Sequence, residues 1–308
     1  MIAFVFPGQG SQRVGMGREL YESVPAAKAA FEAASEALGF DLAARCFDGP
    51  QDELTLTSNA QPAILTTSIA CLRALEESVD GLPTPAYVAG HSVGEYSALV
   101  CAGALELPEA VRLVRRRGEF MAEAKEGTMA AILGLGPDEV TEACDAASDA
   151  GVVVPANFND PGQVVISGER AAVEKACAQA KQLGAKRAVR LPVSGAFHSP
   201  LMAAAGEKLA AKLRSANIAD PRIPVVANAD AEPKTDAEAV RAALAAQVTS
   251  AVLWQQSVER IAAAGVETFV EIGPGTVLSG MIRRIAGNVS VVNVADAASL
   301  EQTLGALC

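Results

Sequence analysis

The stretch Ala86-Tyr87-Val88-Ala89-Gly90-His91-Ser92-Val93-Gly94-Glu95-Tyr96-Ser97 constrains this chain more than any other. It reads as an apolar strand, a tight turn and the start of a helix. Within it, Gly90-His91-Ser92-Val93-Gly94 fits G-x-S-x-G, the nucleophile elbow, in which a serine sits on a strained strand-to-helix turn. The glycines are needed where neighbouring backbones approach and leave no room for a Cβ. Such a turn holds the Ser92 hydroxyl clear of the sheet. It also aims the first helical N–H groups, beginning with Val93, at the reacting atoms, where they and the helix dipole favour negative charge. An ordinary Gly-rich strand-to-helix turn has the same five-residue pattern. The strand before it and the helix-compatible run from Val93 to Leu105 therefore carry the catalytic reading.

The order of the other elements predicts an α/β protein. Ile2 to Phe6 reads as a buried strand ending in the loop Pro7-Gly8-Gln9-Gly10-Ser11-Gln12. A dinucleotide loop, G-x-G-x-x-G, would need glycine where Arg13 stands, and no G-K-[ST] marks a phosphate loop. The loop reads instead as backbone that approaches a site closely. Helical patterns run over Ala26–Leu38, Pro62–Glu77 and Pro108–Lys125, and Ser199-Pro200 opens another to about Leu213. Strands near Ile223–Ala227, Thr268–Ile272 and Ser290–Val294 alternate with helices, which predicts a parallel sheet. Between Gly127 and Arg190 the order becomes β-α-β-β-α-β, the ferredoxin-like arrangement. The expected organisation is a core of residues 1–126 and 191–308, a small inserted subdomain of 127–190, and a cleft between them.

Composition narrows the chemistry. With 308 residues, half of them hydrophobic, the chain can bury a large core. No apolar run approaches the roughly 20 residues of a membrane span, and Met1 to Pro7 reads as a first strand rather than a signal peptide. The six cysteines are scattered singly and there are only two histidines, which argues against a zinc site or disulfide framework and for a reducing cytoplasm. A net charge of −11 disfavours nucleic acid as a partner.

A serine nucleophile needs a base. His91 adjoins Ser92 on the elbow, where the sharp turn sends the two side chains apart. His198, in Val193-Ser194-Gly195-Ala196-Phe197-His198-Ser199-Pro200, is free to reach another strand's end. No acidic residue stands out as a third triad member, so a Ser92–His198 dyad is the expectation. Arg115-Arg116-Arg117 looks like a solvated charge run, but at about 100° per residue the three cannot share a face. Arg117 falls on the apolar stripe of Ala110, Leu113, Val114, Phe120 and Met121, whereas Arg115 and Arg116 read as solvated. A buried arginine needs an anion. An internal glutamate and a substrate carboxylate are both open as that partner.

These residues carry a resemblance. The Phe6–Gln12 loop, the elbow, Arg117-Gly118, Asn157-Phe158-Asn159-Asp160-Pro161-Gly162-Gln163, Gly195-Ala196-Phe197-His198-Ser199 and Glu271-Ile272-Gly273-Pro274-Gly275 occur in the order and spacing of the malonyl-CoA:acyl carrier protein transacylases. The resemblance spans essentially the whole chain. It implies a hydrolase-like core with an inserted ferredoxin-like subdomain. It also implies Ser92 as the acylated nucleophile, His198 as its base, and Arg117 as the holder of the malonyl carboxylate. The oxyanion hole would be the N–H groups of Gln9 and Val93, and Gln247 would orient His198 through a carbonyl. Phe197 resembles the malonyl-selective form of its loop, and Asn157 is placed with the substrate-binding residues. Malonyl-CoA and a phosphopantetheine-bearing acyl carrier protein would be the partners of a monomer that needs no metal or redox cofactor. A serine thioesterase shares the elbow, but it would normally place an acid between Ser and His in chain order. A malonyl transferase of polyketide or malonate metabolism is the nearer alternative. Two basic clusters, Arg112, Arg115 and Arg116, and Lys181, Lys186, Arg187 and Arg190, are candidate carrier-docking surfaces or simply solvated faces.

Overall fold

Two sheets organise the chain in the computed structural model, which describes residues 1–79, 81–124, 127–193 and 195–307. Lys125 and Ser194, named in the sequence reading, and Cys308, one of the six cysteines, lie outside the described residues. The strands are β1 (Ile2–Phe6), β2 (Tyr87–Gly90), β3 (Thr128–Leu133), β4 (Val153–Asp160), β5 (Gln163–Gly168), β6 (Arg187–Arg190), β7 (Val225–Val226), β8 (Pro233–Lys234), β9 (Thr268–Ile272) and β10 (Ser290–Val294). The larger sheet has the order β10-β9-β1-β2-β7-β8 and is parallel apart from β8. The smaller is antiparallel, in the order β4-β5-β3-β6. The chain is thus an α/β protein with a parallel-rich sheet and a separate antiparallel subdomain.

A parallel sheet covered on both faces needs strands that are apolar throughout. On β1, Phe4 and Phe6 join the larger core on one face while Ala3 and Val5 join a second core on the other. Trp254, Val258 and Ile261 of the helix Trp254–Ala263 and Leu278, Met281 and Ile282 of the helix Val277–Ile285 pack into that second core. The antiparallel sheet buries one face against the helices Pro137–Asp145 and Arg170–Gln182, through Val140, Ala143, Val173 and Ala176.

Several boundaries depart from the sequence reading. The helix expected from Pro62 runs from Thr57 to Ser78, with Pro62 inside it. A proline cannot donate to the carbonyl four residues back, here that of Ser58. Arg115 supplies the missing donor, through Nη1 to Ser58 O at 3.0 Å. The same Nη1 donates to Asn59 Oδ1 at 2.6 Å, and Nε pairs with Glu119 at 2.7 Å. Arg115 is therefore half-buried and spoken for, not solvated as expected. Arg116 is exposed and pairs with the other oxygen of Glu119. β7 spans only two residues of the strand expected near Ile223–Ala227, and β4 runs through Asp160, leaving Pro161-Gly162 as the hairpin turn.

The sheets meet along β4. Val252 N donates to Ala156 O at 2.8 Å and Phe158 N to Val252 O at 2.9 Å, a short parallel bridge between the subdomain and the core. Arg284 of the Val277–Ile285 helix pairs with Asp160 at 2.8 Å. Among the described residues, no helix is long and apolar enough to cross a membrane.

Candidate active site

The site begins where β2 ends. Ser92 stands between β2 and the helix Gly94–Cys101 with φ 52°, a left-handed conformation that costs a non-glycine residue about 1–3 kcal/mol. The elbow closes only because its flanks lack side chains. A Cβ on Gly90 would lie 2.0 Å from the Gly94 carbonyl, and one on Gly94 would lie 2.2 Å from Phe6 O of the neighbouring strand. The strained peptide is held from both sides. Ser92 N donates to Asn228 Oδ1 at 2.7 Å, and Ser92 O accepts from Gln247 Nε2 at 3.0 Å. Asn228, just beyond β7, also donates through Nδ2 to Gly90 O at 2.7 Å.

Ser92 Oγ lies 2.8 Å from His198 Nε2. His198 Nδ1 is 2.9 Å from the backbone carbonyl of Gln247, the last residue of the helix Ala237–Gln247. A carbonyl can only accept, so Nδ1 carries the proton and Nε2 offers its lone pair to the serine hydroxyl. Burial, then the positive charge of Arg117, push the His198 imidazolium down to about 3. His91 turns away from Ser92. Its Nε2 meets Asn159 Oδ1 of β4 at 2.8 Å and its ring packs 5.8 Å from that of Trp254.

Arg117 is buried in the helix Leu107–Glu123, and it has no carboxylate partner among the described residues. Its Nη2 donates to Ser92 Oγ at 3.0 Å and to Gln247 Oε1 at 2.9 Å, while Nε has no hydrogen-bond partner among the described residues. Glu95 stands one amide away, across Gln247. Its Oε2 accepts from Gln247 Nε2 at 2.8 Å and from Asn228 N at 2.9 Å. Burial raises the Glu95 carboxyl to about 7 against the lowering effect of those two hydrogen bonds and of Arg117.

A cavity of about 260 Å³ opens over these groups, its walls including Gln9, Met121, Asn157, Leu191 and Phe197. A second, of about 210 Å³, adjoins it past Gly8, Ser11, Asn159 and Met281. The Gln9 loop lies hard against the elbow, since a Cβ on Gly8 would fall 2.4 Å from His91 O. The backbone N–H groups of Gln9 and Val93 have no protein acceptor among the described residues. Glu271 stands apart from the reaction site. Its buried carboxylate accepts from Leu278 N at 3.0 Å and Ser279 N at 2.7 Å and fixes the start of the Val277–Ile285 helix. No cluster of three or more His, Cys, Asp or Glu able to hold a metal ion occurs among the described residues.

Three contributors escape the sequence reading. Asn228 had one signal, a polar residue at the C-terminal end of a predicted strand, where α/β sheets build their sites. Glu95 and Asn159 stand in the quoted elbow stretch and in the Asn157–Gln163 run, where neither was given a role.

The elbow at the C-terminal end of a parallel sheet, with a histidine on its serine, is a site for acyl transfer through serine that hydrolases share, and the acyl transferase domain family matches residues 3–303 of this chain. The malonyl CoA-acyl carrier protein transacylase of Bacillus subtilis (strain 168) is 49% identical over 310 residues, covering 99% of this chain and 97% of the relative. That of Escherichia coli (strain K12) is 50% identical over 291 residues, 94% of each. A crystal structure of an acyl carrier protein S-malonyltransferase from Vibrio cholerae superposes with a TM-score of 0.95 at 46% identity, covering 98% of this chain and 99% of the other. A complex of a type II polyketide acyl-carrier protein with its malonyl-transacylase matches with a TM-score of 0.95 at 45% identity over 99% of both chains. The chain belongs to the malonyl CoA-acyl carrier protein transacylases.

Proposed function

We propose that this chain moves a malonyl group from malonyl-CoA to the phosphopantetheine thiol of an acyl carrier protein, through a malonyl ester on Ser92, and so supplies fatty-acid synthesis. The observation that carries this reading is the convergence of His198 Nε2 and Arg117 Nη2 on one oxygen, Ser92 Oγ. His198 takes the hydroxyl proton and Oγ attacks the thioester carbon. The oxyanion then settles on Gln9 N–H and Val93 N–H, donors with no competing acceptor among the described residues. As the tetrahedral intermediate collapses, His198 returns the proton to sulfur and CoA leaves as the thiol. In the second half-reaction the carrier thiol gives its proton to His198, attacks the ester carbonyl, and restores Ser92. The kinetics are then ping-pong.

Arg117 has two parts in this scheme. Its free N–H groups, Nε–H among them, receive the malonyl carboxylate, and an acetyl group would leave a buried guanidinium unmatched. Its charge also suppresses protonation of His198 in the resting enzyme. A carboxylate on Arg117 offsets that charge, so the proper substrate makes its own base stronger. The backbone carbonyl of Gln247 replaces the acid of a hydrolase triad. Phe197 and Asn157 line the acyl end of the cleft and Phe197 crowds out an α-methyl branch, while the second cavity gives the pantetheine arm its approach. We take residues 127–190 as the inserted unit of a chain that works as a monomer in the cytoplasm with no cofactor of its own.

The test is intact-protein mass after brief mixing with malonyl-CoA or acetyl-CoA, for wild type, Ser92→Ala and Arg117→Ala. The expected result is a malonyl adduct that requires Ser92, prefers malonyl through Arg117 and passes to an added holo carrier protein. An adduct lost only to water would make the chain a hydrolase.

A further inference from the structure

Gln247 has only one amide orientation that satisfies its surroundings. Its Oε1 faces a donor, Arg117 Nη2, and its Nε2 faces acceptors, Ser92 O and Glu95 Oε2, with Asn228 Oδ1 further away at 3.4 Å. Turned over, the amide would set N–H against N–H at Arg117 and oxygen against a carbonyl and a carboxylate at the other end. Of the acceptors at Nε2, only Glu95 carries charge, and a charged acceptor makes the stronger bond. Glu95 itself is buried, and the two donors on its Oε2 favour the ionised form against the burial that disfavours it. The result is a hydrogen-bonded chain with a negative end and a positive end, Glu95–Gln247–Arg117, running beneath the nucleophile.

We propose that Glu95 is a positioning residue for Arg117: acting through the Gln247 amide, its carboxylate aims the guanidinium at the acyl end of the cleft and supplies the counter-charge that holds it there between substrates. This rests on reading Arg117 as the malonyl-carboxylate group. Arg117 from the Leu107–Glu123 helix and Asp230 from the loop after β7 are the charged groups that act on Glu95, and Tyr96 is the neighbouring titratable side chain on its own helix. When Glu95 is neutral the chain loses its anionic end, and Arg117 loses its aim. Selectivity for a carboxylate-bearing acyl group then falls, while transfer of an uncharged acyl group does not fall with it.

The readout is the ratio of malonyl to acetyl loading on Ser92, measured by stopped mixing and intact mass. A ratio cancels whatever CoA, His198 and Ser92 contribute to both donors. Glu95→Gln keeps the shape and can still accept from Gln247 and Asn228, but removes the charge. The expected result is a ratio lowered about tenfold, the scale of one charged hydrogen bond, and no further change when Glu95→Gln is added to Arg117→Ala. Equal losses for both acyl groups, or an unchanged ratio, would overturn the proposal and leave Glu95 a structural residue. A malonyl preference that survives Arg117→Ala would instead remove the underlying reading. If Glu95→Gln fails to fold, the wild-type ratio across pH 5.5 to 8.5 decides. It should fall below about pH 7, where Glu95 takes up its proton, and a flat or rising ratio overturns the proposal.

Discussion

Ser92 and His198 both stand at positive φ, 52° and 57°, and neither is a glycine. Strain of this kind persists only where the surroundings over-determine it. At Ser92 the surroundings are Asn228 on the N–H and Gln247 on the carbonyl. Asn228 needs both ends of its amide, because its oxygen takes Ser92 N–H while its nitrogen serves Gly90 O. Asn228→Asp keeps the first bond and sets oxygen against oxygen at the second. We expect a kcat for malonyl transfer at least about tenfold lower with a far smaller change in KM, since the loss is in placing Oγ rather than in holding substrate. A rise in KM alone would show that Asn228 works on the substrate side. At this scale the sequence was readable where chemistry is local. G-x-S-x-G names its own turn, and Arg117 betrays itself by standing on an apolar stripe. That Asn228 and the Gln247 side chain hold the Ser92 peptide was hidden because they lie 136 and 155 residues away, and only the folded chain brings them under the elbow.

Arg115 makes the same point for an element. The helix Thr57–Ser78 starts five residues before the proline that looked like its first turn. Proline at a helix start is the commoner pattern, and what permits the exception is a guanidinium from another helix. Arg115→Met keeps the aliphatic stem and removes the donors to Ser58 O and Asn59. The expected cost is about 1–3 kcal/mol of unfolding free energy, seen as a lower urea midpoint at unchanged slope, with malonyl loading of the folded protein intact. A variant as stable as wild type would mean that water replaces the arginine at Ser58. The basic clusters read differently at this scale too. Arg112, Arg115 and Arg116 are matched by Glu109 and Glu119 on their own helix. Arg187 and Arg190 sit on β6, an edge strand, where exposed charge discourages pairing with another chain's edge. The strands of the larger sheet were legible because full burial writes continuous apolar runs. β9 and β10 end where expected and β7 falls inside the strand read near Ile223–Ala227, while the two-residue β8 left too short a run to mark.

Across the whole molecule, the seam between the two sheets gathers groups whose titration is displaced in opposite directions. His198 is pushed from 6.5 to about 3, so between those values the unfolded chain binds a proton that the folded one does not, and stability falls as pH falls. His91, also lowered by burial, acts with the same sign. Glu95 is raised from 4.5 to about 7, so in that window the folded chain holds the extra proton, and stability falls as pH rises. The effects oppose each other between about pH 4.5 and 6.5, and below 4.5 the histidines act without Glu95. For these groups, thermal melts of wild type should change little over the shared window and drop steeply below it. Glu95→Gln should begin its decline near pH 6.5 and gain about 3 kcal/mol on wild type between pH 4.5 and 7. Parallel profiles for the two proteins would mean that Glu95 titrates normally.

Gln247 serves two masters. Its backbone grips the general base and its side chain grips both the nucleophile's peptide and the arginine, so the power to react and the power to choose cannot be separated by moving it. An enzyme built this way loses rate and choice together if Gln247 slips, and choice alone if the charge at Glu95 goes. It also has little freedom to drift toward a new acyl donor from the floor of the site upward. Retailoring such a cleft, in a laboratory or over generations, must begin with its wallpaper, at Phe197 and Met121, and leave the joists alone.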